Sequence, residues 1–313
     1  MNSPIFRLSD CPQHLTFIDW VKSETDWHDA ESRAKPRGKY PTLIELEGPD
    51  FDMSAIGGAV VEAMGLYGVY GWATNDGARS NGYVGFSLTY NPDHEEGIDV
   101  HASLLGSGRL SKDEYFARFT YQDANARTRG KNSYDDTYAF RKRTPASRHK
   151  ALGAFIDRFS RPLLRSRVSA MRGSLGGQQA IVGVKHTDPK RCDAGWHRDE
   201  PVFLHLRVNL PVITHPSFRT QIEDTVDAFL EPGRLYSWDT DLPHRPIATE
   251  RIDKVRIHLV LGFSPWLDYL EEEQAYVLNE YYGRLHPFDM LNEGLIFPGT
   301  RIATKNSMEV SLT

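Results

Sequence analysis

Cysteine is scarce in this sequence: the 313 residues include only Cys11 and Cys192. Two thiols cannot form a disulfide framework for a chain of this length, and no CxxC pair indicates structural zinc or dithiol chemistry. An excess of one charge is also missing, since 37 basic and 42 acidic residues leave a formal net charge of −5. This balance argues against a nucleic-acid binder driven by bulk charge.

Long apolar runs are absent as well. The longest, Ile56–Ala73, is interrupted by Glu62 and by five glycines, which favours a buried helix and a turn over a membrane span. The N-terminal segment MNSPIFRLSDCPQHL has no basic stretch followed by an apolar run, so no secretory signal is predicted. These absences predict a soluble protein of the reducing cytoplasm, with no membrane or nucleic-acid partner.

The composition is that of an ordinary folded protein, with 40% hydrophobic and 25% charged residues. No linker, repeat or low-complexity tract divides the chain, which favours one structural unit with two regions. Residues 1–172 are predicted to form a mixed helical and loop region that covers the core and determines substrate specificity. Its helical patterns lie near Leu15–Ser23, Ser54–Gly65, Lys112–Gln122 and Ala146–Met171, the last interrupted by Pro162.

Residues 173–313 have a different pattern of short, β-prone runs bounded by Pro, Gly, Asp or Asn. The runs are QAIVGVKH, FLHLRVNLPVI, TQIED, DAFLE, GRLYSWDT, HRPIAT and RIHLVLGF. This pattern predicts a mainly β fold with flanking helices, whose core is a double-stranded β-helix, or cupin-like jelly roll. The segment LDYLEEEQAYVLNEYYGRL, which follows the runs, has a helical period and predicts a C-terminal helix.

The segment AGWHRDEP places His197 and Asp199 two residues apart. In an extended strand, side chains at i and i+2 point to the same face, so this imidazole and carboxylate would converge. With a second imidazole they would form a two-His-one-carboxylate set, which leaves open positions on Fe(II). An HxD pair alone is a weak signal, because a chain with 12 histidines and 42 acids contains such pairs by chance.

The second imidazole is predicted to be His244, which begins a β-prone run after a Pro-bounded turn. The alternatives are His205 and His258, which each lie within a predicted strand. Both also have a simpler interpretation as polar groups satisfied inside or beside the barrel.

Two arginines, Arg207 and Arg256, interrupt otherwise apolar strands. A buried guanidinium needs an anion, which could be the carboxylate of a small molecule or an acidic side chain of the protein. For either arginine alone, an ion pair with a protein acid is the simpler interpretation.

The segments HRDEPVFLHLRVNLPV, EPGRLYSWDTDLPHRPIA and VRIHLVLGF together resemble the aspartyl/asparaginyl β-hydroxylase family of Fe(II)/2-oxoglutarate oxygenases. The family also includes bacterial free-amino-acid hydroxylases. The resemblance implies that His197, Asp199 and His244 bind the iron and form the catalytic centre. It implies an enzyme that uses Fe(II), 2-oxoglutarate and O2 to hydroxylate an unactivated C–H bond, with succinate and CO2 as co-products.

The resemblance also implies a cosubstrate site. Arg256 would bind the distal carboxylate of 2-oxoglutarate, and Arg207 would assist. Asn209 is assigned to the same site, at a position where relatives often have histidine.

The predicted substrate is an amino acid or an amino-acid-derived small molecule. Candidate contacts are Tyr134, Arg141 and the Asn75–Tyr90 loop, because N-terminal elements commonly cover the mouth of this fold. Three alternatives remain open: a hydroxylase of Asp/Asn-type side chains in peptides or proteins, a non-redox cupin-like metal enzyme, and a metal-free module that binds carboxylates.

Overall fold

Strands dominate the architecture. The computed structural model describes residues 4–12, 15–48, 50–67, 70–71, 83–92, 137–172, 192–193, 196–223, 225–250 and 252–303. The helices in these ranges are α1 (Phe17–Ser23), α2 (Trp27–Arg33), α3 (Met53–Tyr67), α4 (Lys150–Ile156) and α5 (Pro287–Asn292). The strands are β1 (Ile5–Arg7), β2 (Ile44–Glu47), β3 (Tyr70–Gly71), β4 (Tyr83–Ser87), β5 (Thr89–Tyr90), β6 (Lys142–Arg143), β7 (Arg167–Arg172), β8 (Cys192–Asp193), β9 (Leu206–Ile213), β10 (Phe218–Ile222), β11 (Val226–Ala228), β12 (Leu235–Ser237), β13 (His244–Ala248), β14 (Val255–Phe263), β15 (Leu267–Leu270), β16 (Ala275–Leu278) and β17 (Arg301–Ile302). None of the described helices combines the length and the hydrophobicity needed to cross a bilayer.

The eight strands from β7 to β14 are divided between two antiparallel sheets. Four of them, in the order β12–β9–β14–β7, form the centre of an eight-stranded sheet. The other four form a second sheet in the order β11–β10–β13–β8. If β7 is numbered 1 and β14 is numbered 8, one sheet has the order 6-3-8-1 and the other has the order 5-4-7-2. This is the strand order of a double-stranded β-helix, so the predicted jelly-roll core is confirmed.

The first half of the chain takes part in the larger sheet. Strand β2 pairs with β12 and with β17 at one side, and β3 and β4 extend the sheet beyond β7 at the other. The predicted start of the core at residue 173 is therefore too late. The region before it contributes strands to the barrel as well as elements that cover it.

The outer face of the eight-stranded sheet is apolar. Alternate side chains of β9 and β14 belong to the main hydrophobic core: Leu206, Val208, Leu210, Val212, Ile257, Leu259, Leu261 and Phe263. Helix α3 lies against β9 and β4, and α4 packs against α3. Burial of apolar side chains contributes about 1.5–3 kcal/mol each to folding, so this layer stabilises the barrel from outside.

The intervening side chains of the same strands face the second sheet. Cross-strand partners share a face: Gly262 lies opposite Arg207, Val260 opposite Asn209, and His258 opposite both Pro211 and Ser169. The polar members of this layer are buried, with Arg207 and Asn209 5% exposed and His258 1% exposed. The inner face of the barrel therefore carries several polar groups that are removed from water.

Two helix predictions, for Leu15–Ser23 and Ser54–Gly65, are confirmed as α1 and α3. The helix predicted over Ala146–Met171 is wrong in its second half, because α4 ends at Ile156 and Arg167–Arg172 forms the central strand β7. Val168 and Ala170 join the outer core while Ser169 faces inward, and this period of two belongs to a strand.

The predicted C-terminal helix is also wrong. The segment forms a hairpin of β15 and β16, in which Tyr269 lies opposite Tyr276. Strand β16 pairs with β1 on its other edge. The apolar residues of the segment fit both a helical period and a strand period. Pairing with β1 favours the strand, because β1 supplies backbone hydrogen-bond partners along β16. The predicted elements at Lys112–Gln122 and at QAIVGVKH lie outside the described residues.

Candidate metal centre

His197 and His244 face each other across an isolated antiparallel bridge. The His197 N–H donates to the His244 carbonyl at 3.1 Å, and the His244 N–H donates to the His197 carbonyl at 3.0 Å. Directly opposed residues point to the same side, so the two imidazole rings lie with their centroids 4.4 Å apart. His244 is also the first residue of β13, which fixes it within the second sheet.

Asp199 joins this pair two residues after His197. Its backbone N–H donates to the Thr240 carbonyl at 2.8 Å, which places its side chain beside the two rings. Asp199 Oδ2 lies 3.9 Å from His197 Nε2 and 3.6 Å from His244 Nε2. One ligand atom from each of the three side chains lies within 4.8 Å of the other two. The structure thus brings together all three side chains that the sequence predicts as ligands.

The protonation states of these groups suit a cation. His244 Nδ1 lies 2.9 Å from the Leu242 carbonyl, which can only accept, so Nδ1 carries the proton and Nε2 presents its lone pair to the cluster. Removal from water alone would raise the pKa of Asp199, but the adjacent charge of Arg207 holds it well below its ordinary value of 3.8. The site therefore offers an anionic oxygen beside the Nε2 atom of His244.

The guanidinium of Arg207 lies against the carboxylate of Asp199. Its Nη1 donates to Asp199 Oδ2, and its Nη2 donates to Glu200 Oε2 at 2.6 Å. Its Nε donates to His205 Nδ1 at 3.2 Å. Of the two interpretations open for Arg207, the structure shows the ion pair with protein acids.

Arg256 lies on the inner face of β14 and is 6% exposed. Its Nη2 lies 2.8 Å from His258 Nδ1, which accepts because a guanidinium only donates. Burial and the charge of Arg256 hold the pKa of His258 well below 6.5, so this imidazole is neutral and carries its proton on Nε2. Within the described part of the chain, that buried Nε2–H has no hydrogen-bond partner.

The other predicted contacts have mixed outcomes. Asn209 is buried on the inner face, opposite Val260 and Tyr236. Arg141 lies elsewhere, where its Nε donates to the Tyr269 hydroxyl at 3.0 Å beside the β15–β16 hairpin, and the structure does not bring it to the three ligands. Tyr134 lies outside the described residues, as does the Asn75–Tyr90 loop before residue 83.

Sequence reasoning missed two members of the site. Glu200 binds Arg207 and also accepts from Thr137 Oγ1 at 2.8 Å. A buried arginine needs an anion, and this requirement predicts an acidic partner for Arg207. It does not identify which acid of the sequence is the partner. Trp238, at the end of β12, lies edge-on to His244 with centroids 5.7 Å apart, and its buried Nε1–H lacks a partner among the described residues.

Comparisons with known proteins leave the family open. No family model matches the chain, and no curated protein matches it significantly. Among solved structures, the non-heme alpha ketoglutarate dependent epimerase SnoN from nogalamycin biosynthesis is 13% identical, with 77% of this chain and 84% of SnoN covered and a TM-score of 0.36. A Pseudomonas putida prolyl-4-hydroxylase is 12% identical, with 76% and 98% covered and a TM-score of 0.31.

AviO1 from Streptomyces viridochromogenes Tue57 is also 12% identical, with 71% and 90% of the two chains covered and a TM-score of 0.31. Similarities at this level identify neither a family nor an activity. Only the geometry of this chain's own side chains bears on its function.

Proposed function

We propose that this protein is an Fe(II)- and 2-oxoglutarate-dependent oxygenase that hydroxylates an unactivated C–H bond of an amino acid or amino-acid-derived small molecule. The observation that carries the proposal is the convergence of His197, Asp199 and His244 at the edge of a jelly-roll barrel. Two imidazoles and one carboxylate form the donor set that holds non-heme Fe(II) and leaves other coordination positions open.

The residues present fit such an ion. The donor atoms are close enough to share one cation, and the hydrogen bond from His244 Nδ1 to Leu242 fixes the ring in the orientation that a ligand needs. When bound, iron with 2-oxoglutarate and O2 would supply the oxidising chemistry and release succinate and CO2. The protein's contribution is to hold the three donors, keep Asp199 ionised and limit the access of water.

Arg256 is the proposed contact for the distal carboxylate of 2-oxoglutarate. A guanidinium that is 6% exposed gains most from an anion held in a bidentate pair. His258 lies beside it and offers a buried Nε2–H as a second donor, and Asn209 lies on the same inner face. Since Arg207 already binds two protein carboxylates, we assign it to the metal side of the site.

The exposure of the ligands indicates the approach route of the substrate. The side chain of His197 is 38% exposed, whereas that of His244 is 6% exposed. A substrate therefore reaches the centre from the side of His197. A small molecule is the proposed substrate, and a peptide side chain entering by the same route is the alternative.

The test is substrate-stimulated succinate formation by protein that is purified anaerobically and reconstituted with Fe(II). A panel of free amino acids, their derivatives and short peptides is screened with 2-oxoglutarate and O2. We expect at least one small molecule to stimulate succinate release and to gain one oxygen atom by mass spectrometry. His244→Ala should abolish the stimulation, while His215→Ala, which changes a histidine outside the cluster, should retain it.

Two outcomes separate the alternatives. Stimulation by peptides alone would replace the small-molecule substrate with a peptide side chain. Metal binding without any consumption of 2-oxoglutarate would favour a non-redox metal enzyme and would overturn the oxygenase proposal.

A further inference from the structure

One oxygen atom of Asp199 has three neighbours. Oδ2 faces the Nε2 atoms of His197 and His244, and it also accepts a hydrogen bond from Arg207 Nη1. The guanidinium therefore acts on the same carboxylate that completes the metal centre. Its effect on that carboxylate determines how well the centre is formed before a cation arrives.

Arg207 is itself held rigidly. Glu200 Oε2 accepts from its Nη2 at 2.6 Å, and His205 Nδ1 accepts from its Nε at 3.2 Å. The Thr137 hydroxyl fixes the other oxygen of Glu200 at 2.8 Å. The Ser237 hydroxyl donates to the Arg207 carbonyl at 2.8 Å, and Arg207 is 5% exposed. A side chain held by this many contacts can fix the orientation of the Asp199 carboxylate that it binds.

Two effects of this arginine on a divalent cation oppose each other. Its charge repels the cation and competes for Oδ2, but it also restricts Asp199 to one orientation and keeps it anionic. The repulsion is weakened because Glu200 binds the same guanidinium and offsets its charge. Orientation should therefore outweigh repulsion.

We propose that Arg207 is a positioning residue for the metal centre: anchored by Glu200 and His205, it orients Asp199 toward His197 and His244. The inference rests on the proposed function and deepens it, because it assigns Arg207 to the assembly of the metal site and not to 2-oxoglutarate. Removal of a group that hydrogen-bonds a metal-binding side chain and orients it typically lowers metal affinity about 10–100-fold.

The experiment is an anaerobic calorimetric titration with Mn²⁺ alone, which needs no turnover. We expect Arg207→Met to weaken Mn²⁺ binding about 10–100-fold. Arg207→Lys should recover part of the loss, since lysine keeps the charge but not the fork geometry. Glu200→Gln should weaken binding less than Arg207→Met, because it loosens the anchor and leaves the guanidinium. Arg219→Met, which removes the ion pair with Asp227 in the second sheet, serves as the matched control and should bind Mn²⁺ like wild type.

A second measurement separates positioning from cosubstrate binding. At saturating Mn²⁺, the affinity of Arg207→Lys for 2-oxoglutarate should match that of wild type. Circular dichroism and thermal unfolding confirm that each variant is folded, and Glu200→Gln takes the place of Arg207→Met if the latter does not fold.

The outcomes are distinct. Unchanged or tighter Mn²⁺ binding in a folded Arg207→Met, or in Glu200→Gln if it stands in, would overturn the inference. Weakened 2-oxoglutarate binding with intact Mn²⁺ binding would also overturn it. In either case the proposed function would stand. A wild-type protein that binds no Mn²⁺ would overturn the proposed function together with the inference.

Discussion

The two faces of the eight-stranded sheet are built from the same strands but have opposite chemistry. Along β9, Leu206 and Val208 point outward into the hydrophobic core, whereas Arg207 and Asn209 point inward. Both sets are buried, so exposure alone does not distinguish them. The outer set gains free energy from burial, while the inner set costs free energy unless it is paired.

This difference indicates what each face is for. Apolar residues would fill the interior of a barrel at lower cost, so a polar interior needs a reason beyond stability. On the inner face, Arg207 is paired with two carboxylates of the protein, and Arg256 lies beside the neutral His258. The outer face stabilises the fold, and the inner face with the adjoining His197–His244 bridge holds the groups that can bind a cation and an anion.

The largest expected effect comes from the imidazole ligands. We expect His197→Ala and His244→Ala each to abolish the binding of one Mn²⁺ per chain, because each removes one of only three protein donors. Equilibrium dialysis under anaerobic conditions measures the binding. His215→Ala should retain full stoichiometry. If either ligand variant bound Mn²⁺ as tightly as wild type, that histidine would not be a ligand.

Arg256→Ala should separate the anion site from the metal site. We expect binding of 2-oxoglutarate to weaken by about 3–5 kcal/mol, the typical cost of removing one partner of a buried ion pair. Binding of Mn²⁺ should remain at the wild-type level. Calorimetry with 2-oxoglutarate at saturating Mn²⁺ gives the affinity. Wild-type cosubstrate affinity in this variant would remove Arg256 from the site.

Leu259→Ala tests the outer face of the same strand. Leu259 is fully buried, so its truncation should lower the free energy of unfolding by about 2–5 kcal/mol. Mn²⁺ affinity of the folded variant should not change, because the side chain points away from the centre. Urea unfolding and calorimetry provide the two values. A stable variant with impaired metal binding would contradict the division between the two faces.

A smaller effect is expected from acid. Desolvation alone would raise the pKa of Glu200, but the charge of Arg207 holds it below its ordinary value of 4.5. A carboxyl with a depressed pKa in the folded chain stabilises the fold above its unfolded pKa, and this contribution is lost as the pH falls. The unfolding free energy of the metal-free protein should therefore decline below about pH 4.5.

Glu200→Gln provides the comparison for this acid effect. The variant should be less stable at neutral pH and should lose stability less steeply below pH 4.5, because it lacks the carboxyl that titrates. Urea unfolding series at several pH values measure both slopes. Identical slopes would show that Glu200 contributes nothing to the acid sensitivity.

Much of the core could be predicted from sequence. Strands β9 to β14 have β-prone residues between turn residues, and their pairing follows from the predicted jelly roll. The proximity of His197 and Asp199 follows from the period of a strand, and the place of His244 after a turn favours it as the second imidazole. These inferences succeed because they depend on local spacing and on one fold-level expectation.

Other features depended on tertiary contacts that spacing does not encode. The β15–β16 hairpin is decided by pairing with β1, and the strand character of Arg167–Arg172 by its place between β4 and β14. The partner of Arg207 could have been a ligand or a protein acid, and only the fold shows that Asp199 and Glu200 meet it. Charge balance within a buried layer is a property of the assembled barrel.

In the proposed metal centre, His197, Asp199 and His244 bind one cation together. The most direct test is an anaerobic titration with Fe(II) and then with 2-oxoglutarate, monitored by visible absorption. We predict that wild-type protein binds one iron per chain and gains a charge-transfer band when 2-oxoglutarate is added, and that His244→Ala gains none. A wild-type protein that retains no iron, or a band that persists in both His197→Ala and His244→Ala, would contradict this assignment of the metal centre.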